Sequence, residues 1–196
     1  MINLSKTEIL NSNFFYLIIL SVFSFLINFY YSSLGSFPID TFLHYDSASR
    51  ILKGELPIRD YWIVSGLTVD FIQSIFFRVF GVNWFAYTIH SSLFNCLIST
   101  FVYIFFLKIG ISKIKSFIYA LSFATLSYTV SGTPFVDLHA IYFLLISTLL
   151  ISRSLSSGQT FIWPIIIFLF FLSFFSKQVP AAYAGIVYII ILLFFF

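Results

Sequence analysis

The stretch NFFYLIILSVFSFLINFYY, Asn13 to Tyr31, runs for nineteen residues without a charged side chain. As a helix it reaches about 28 Å, close to the roughly 30 Å of a bilayer's hydrocarbon core. Comparable apolar runs recur at Trp84 to Leu107, Ile114 to Val130, Val136 to Ser152, Thr160 to Phe175 and Val179 to Phe196. With 60% of the residues hydrophobic, 29 of them Phe and only 9% charged, no water-soluble domain of 196 residues could hide this surface. The solvent must be lipid, where each backbone polar group needs a partner inside its own segment. A membrane β-barrel shows short alternating stretches instead of long unbroken runs. The expected fold is therefore all-α: a polytopic transmembrane helix bundle of about six spans, forming a single domain over 1–196.

Several simpler readings fall away. The first run is long for a signal peptide and further spans follow it, so a retained anchor is expected. Pro164 stands near the start of the fifth run, where a proline costs a helix little. The single Cys96 permits no intrachain disulfide and reads as a small packed hydrophobe. A net charge of +3 leaves no footprint for nucleic acid. The chain ends in IIILLFFF without a polar flank. That ending suggests a fragment or an early-terminated reading frame.

Orientation follows from the basic residues. Lys6 precedes the first run, Lys108, Lys113 and Lys115 separate the second from the third, and Arg153 follows the fourth. The positive-inside rule places those ends in the cytoplasm, in what reads as a bacterial plasma (inner) membrane. The segment 32–83 then faces outward, with the turns at 131–140 and 176–181. Segment 32–83 carries five of the seven acids: Asp40, Asp46, Glu55, Asp60 and Asp70.

Within that segment Pro38 sets an extended approach and Asp40 stands where an N-cap would stand. The run TFLHYDSASRILK reads as an amphipathic interfacial helix stopped by Gly54. Its expected apolar face is Tyr45, Ala48, Ile51 and Leu52. Tyr61 and Trp62 suit the headgroup zone. The run LTVDFIQSIFFRVFG reads as a second interfacial helix, with Asp70, Ser74 and Arg78 on a solvated stripe.

The succession Asp40, Tyr45, Ala48, ILKGELPIRDYW, SG and FFRVFG resembles the first outward loop of the GT-C superfamily of membrane glycosyltransferases. These enzymes include lipid A aminoarabinose transferases and protein O-mannosyltransferases, and they use polyprenyl-phosphate sugars. Asp40 lies eight residues before Ala48, where the family's first loop acid belongs. The family usually carries a second acid beside it; this chain has Thr41. The turn SKQVPAAYAG is similar to a segment of uncharacterised bacterial members. The likeness covers about residues 13–110, and the remainder only through its span pattern.

The resemblance implies an inverting transfer of a sugar from a polyprenyl-phosphate donor to a glycan, lipid or protein acceptor of the envelope. Such a donor already has a good leaving group, so the reaction needs a base for the acceptor hydroxyl and cations for the departing phosphate. Asp40 is the candidate base. Arg50, Arg59 and Lys177 are candidates for the phosphate, with Gln178 beside Lys177 and Asp60 beside Arg59. Asp137 and His139 could line the same cavity and orient the acceptor. A divalent cation is left open, because the missing second acid weakens any metal role. One His with one Asp is not a zinc site.

Structural readings compete at each position. Asp40 could simply cap its helix; Asp46 and Arg50 are one turn apart and read as a surface pair; Lys177 could snorkel. His44, His90 and His139 read as hydrogen-bonded helix-interface residues. Two further function classes stay open, a multi-span transporter or lipid flippase and a truncated non-catalytic membrane protein. Transporters place ionisable residues or broken helices at mid-membrane, whereas the first five runs carry no charge at their centres.

Overall fold

The computed structural model describes residues 6–35, 38–63 and 65–195. Among these the chain is helical: α1 Lys6–Tyr31, α2 Pro38–Leu52, α3 Leu67–Phe80, α4 Trp84–Lys108, α5 Lys113–Leu126, α6 Val136–Ser157, α7 Trp163–Ser176 and α8 Gln178–Phe195. Short 3-10 turns, Tyr128–Val130 and Thr160–Ile162, follow α5 and precede α7. Three segments among the described residues are long and apolar enough to cross a membrane, Phe14–Tyr31, Trp84–Lys108 and Val136–Ser157. The helices over Thr160–Ser176 and Gln178–Phe194 are apolar but shorter.

The third expected span, 114–130, is cut short. Helix α5 ends at Leu126 after 14 residues, about 21 Å, and Ser127 leaves helical geometry at φ −90°, ψ −107°. Hydroxyls and a glycine account for the stop. Thr129 Oγ1 bonds the Thr125 carbonyl, Ser131 Oγ donates to the Thr133 carbonyl, and Gly132 N–H closes on the Tyr128 carbonyl. Gly132 sits at φ +69°, and a Cβ there would come within 2.8 Å of Ser32 Cα. Only glycine lets these backbones approach so closely.

The chain forms two compact units. One comprises residues 1–37 and 84–133; the other comprises 38–83 and 134–196. In the first, α1 and α4 bury a series of polar side chains, while α5 turns the small Ser116, Ala120 and Ala124 inward. Ser91, Asn95 and Ser99 follow one another at four-residue spacing on α4 and are fully buried, while Leu93 and Leu97 face out. The Asn95 amide donates to the Ser24 carbonyl of α1 at 2.8 Å and the Ala124 carbonyl of α5 at 3.1 Å. The Asn28 amide reaches Ser91 and Ser92, each at 3.0 Å. Small and polar residues hold helices together where lipid supplies no hydrophobic drive.

The second unit obeys the same rule. Ser173 Oγ of α7 donates to the Ala140 carbonyl of α6 at 2.9 Å, and Tyr188 of α8 donates to the Leu144 carbonyl at 3.2 Å. Helix α2 turns its expected apolar face inward, with Ala48 buried and Tyr45, Ile51 and Leu52 half-buried while Asp46 and Lys53 are exposed. It also buries the polar Thr41, His44 and Ser47 and leaves Phe42 and Leu43 exposed. In lipid an apolar side chain loses nothing by facing outward, so polar pairing decides which face turns in.

Candidate functional site

Every residue singled out as a candidate lies in the second unit. Helix α2 begins at Pro38, which lacks the N–H that a first helical residue would leave unbonded. Asp40 is therefore the third residue of the helix, inside its first turn, and not the N-cap that its spacing suggested. Its carboxylate is exposed and complements the positive end of the helix dipole.

One turn further along α2 stands His44, whose Nδ1 lies 2.8 Å from Oδ1 of Asp70 in the first turn of α3. Both side chains are buried, at 4% and 1% exposure. The solvated stripe expected at Asp70, Ser74 and Arg78 is corrected accordingly: Arg78 is exposed, while Asp70 and Ser74 are buried. The physical reason is the partner on α2. Burial pushes the Asp70 carboxyl above its usual range, and the His44 hydrogen bond works against that rise. Asp70 Oδ2 is buried with no hydrogen-bond partner among the described residues. Ser47 is near enough to favour the carboxylate. Its hydroxyl, however, is engaged with Tyr61 at 2.8 Å, and Tyr61 in turn donates to the Ser47 carbonyl at 3.2 Å.

Gly66 seals this arrangement. At φ +93° it packs against the imidazole so tightly that a Cβ would lie 2.4 Å from His44 Cε1 and 2.7 Å from Val136 Cγ1. Its N–H donates to the Ser176 carbonyl at 3.0 Å, tying the start of α3 to the end of α7. Tyr45 on Phe77, with ring centroids 4.8 Å apart, closes the α2–α3 seam.

The remaining candidates form separate groups. Arg50 is engaged by Asp46 at 2.7 Å, one helical turn away as expected, and by Glu55 at 3.2 Å. Its guanidinium also lies 5.4 Å from the centre of the Tyr61 ring. Arg59 grips its neighbour Asp60 through two N–H groups, at 2.9 and 2.6 Å. That grip, with the Leu56 N–H at 2.7 Å, holds the Asp60 carboxyl down at about 2. Lys177 leaves the α7–α8 break in extended geometry and donates to Asp137 at 2.8 Å. Both members of this pair are about a third exposed. His139 is fully buried, its Nδ1–H donating to the Phe135 carbonyl at 3.0 Å. Gln178, the first residue of α8, is exposed.

Among the described residues, no three His, Cys, Asp or Glu side chains come close enough together to hold a metal ion. The pair that sequence reasoning missed as chemistry is His44–Asp70. The available signal was an acid flanked by Val69 and Phe71 in an otherwise apolar run, a costly position unless a partner waits. No protein-family model matches this sequence, and no curated protein or solved structure matches it either.

Proposed function

We propose that the chain is a membrane glycosyltransferase, or a portion of one, moving a sugar from a polyprenyl phosphate to an envelope acceptor at the non-cytoplasmic surface. The supporting observation is that two stretches far apart in sequence, 38–83 and 134–196, make one compact unit containing all the candidate acids and cations. In this reading α5, α7 and α8 complete a six-span bundle as short or tilted helices, and the amino terminus is cytoplasmic. The order of acid, surface helix, glycine and RD turn in the first loop adds to that support.

The transfer forms a bond from the acceptor oxygen to the anomeric carbon as the bond to the phosphate oxygen breaks. The polyprenyl phosphate leaves with the electron pair, and the acceptor proton passes to Asp40. Lys177 is the cation best suited to the phosphate. It is held by one carboxylate, Asp137, in a partly exposed pair, whereas Arg50 and Arg59 are gripped by two carboxylates and by a forked contact. Exchanging a partly solvated ion pair for a phosphate costs little.

Membranes containing the chain within its full reading frame should transfer radiolabelled sugar from polyprenyl phosphate, and Asp40→Asn should abolish the transfer. Equal transfer by both proteins would remove Asp40 from the mechanism. Absence of transfer with every donor tried would overturn the enzyme reading.

A further inference from the structure

The loop between α2 and α3 contains a feature that glycosyl transfer does not use. Ile58 adopts φ +71°, the only described non-glycine residue in the left-handed region. For a β-branched residue this conformation is sterically costly. The turn around it is clamped so that it cannot relax. Asp60 Oδ2 accepts the Leu56 N–H at 2.7 Å, the Asp60 N–H donates to the Leu56 carbonyl at 2.9 Å, and the Ile58 N–H donates to the Tyr61 carbonyl at 2.8 Å. Arg59 fixes Asp60 from the other side, and Tyr61 is anchored on Ser47 of α2.

This clamped turn pushes apolar side chains outward. Ile58 is 73% exposed and Trp62 80%, with Leu56 beside them at 43%. In water the geometry would be unfavourable twice over, through its backbone and through its bare apolar surface. A lipid environment removes the second cost and turns it into a gain.

The position of the loop supplies the occupant. Four residues beyond Trp62, the Gly66 N–H is bonded to Ser176, where α7 ends. Four residues of chain reach at most about 14 Å. Immediately before that point α7 exposes Phe171, Phe174 and Phe175, and just after it α8 exposes Val179. Trp62 therefore lies within about 14 Å of the point at which an apolar helix gives way to polar residues, and tryptophan favours that zone in bilayers. Arg59, between Ile58 and Trp62 in sequence, is paired with Asp60 and 64% exposed.

We propose that residues 56–62 form a rigid wedge seated in the bilayer surface, with Ile58 and Trp62 at the acyl–headgroup boundary. The wedge fixes the depth of α2 and α3 relative to the membrane. This inference rests on the membrane embedding of the apolar helices and not on glycosyl transfer.

The test uses the full chain carrying Cys96→Ser and Ile58→Cys, labelled with an environment-sensitive nitrobenzoxadiazole probe and reconstituted in phosphatidylcholine–phosphatidylglycerol vesicles. Position 58 is exposed, so the label does not disturb packing; Lys53→Cys serves as the exposed control. Lipids bearing a nitroxide near the top of the acyl chain should quench the probe at 58 several-fold more than at 53, and aqueous iodide should do the reverse. Iodide quenching at 58 equal to that at 53 would put the turn in water and overturn the wedge. Protection from both quenchers would mean that a protein surface covers it, which also overturns the proposal. Adding Asp60→Ala, which opens the clamp but keeps Leu56 and Trp62 and the label at 58, should remove at least half of the nitroxide quenching. Unchanged quenching would show that the clamp does not seat the turn.

Discussion

His44 on α2 and Asp70 on α3 are joined at 2.8 Å inside a seam that excludes solvent from both side chains. They are 26 residues apart in sequence. The contact docks one short helix on the other, and its chemistry makes that docking sensitive to substitution and to rising pH. His44→Ala should leave the carboxylate buried without its partner and cost about 3 kcal/mol, as removal of one member of a buried pair does. Asp70→Asn retains the volume and an oxygen acceptor and should cost nearer 1 kcal/mol. Denaturant unfolding in detergent micelles measures both.

The same pair predicts a pH dependence. Burial raises the Asp70 carboxyl above its ordinary 3.8 in the folded chain. The folded state then holds its proton more tightly than the unfolded state. The contribution to stability is full below the ordinary aspartate value and is lost as pH rises through the raised folded value. Asp70→Asn should flatten that part of the profile. An unfolding profile equally steep in wild type and variant would refute the assignment.

Asp60 behaves oppositely. Arg59 and the Leu56 N–H lower its carboxyl to about 2, so its contribution to the turn is present above the ordinary aspartate range and is lost as pH falls through about 2. Hydrogen exchange at the Leu56 amide should remain slow down to about that pH, after correction for intrinsic rates. In Asp60→Ala the amide should exchange freely at every pH.

Glycine substitutions separate close approach from backbone strain. Gly66→Ala forces a methyl into the His44 ring and should cost about 3 kcal/mol, while also breaking the Asp70 contact. Gly132→Ala meets the Ser32 backbone and should be at least as damaging. Gly54→Ala and Gly158→Ala have positive φ but open space around the new Cβ, so only the conformational cost remains, about 1 kcal/mol. Similar losses at all four sites would mean that packing at Gly66 is looser than described.

Asn95 tests the polar interior of the first unit. Its amide joins α1 and α5 to α4 through two backbone carbonyls. Asn95→Ala should cost about 1 kcal/mol, in line with interhelical hydrogen bonds in lipid. Substituting the outward Leu97 by Ala should change stability by less than half as much.

Much of the local structure could be read directly from the chain. Gly54 follows α2 at φ +92°, α3 ends at Phe80 before Gly81, and Asp46 pairs with Arg50 one turn away. Each depends on neighbours within a single helix or turn, where spacing alone decides contact. Asp40 shows the margin of such readings, because Pro38 begins the helix two residues earlier and draws the acid into the first turn.

The amino-acid sequence by itself determined that this protein is helical and needs an apolar solvent, because runs of such length can satisfy their backbone only within helices. It did not determine which face of each helix turns inward. In water the apolar face is driven in, and periodicity reveals it. Here apolar side chains gain nothing from being inside, so hydrogen bonding and close backbone approach choose the interior. Those are properties of pairs: His44 with Asp70, Asn95 with the Ser24 carbonyl, Gly132 against Ser32. Only the tertiary structure brings such partners together, since nothing in the local spacing of either residue specifies the other.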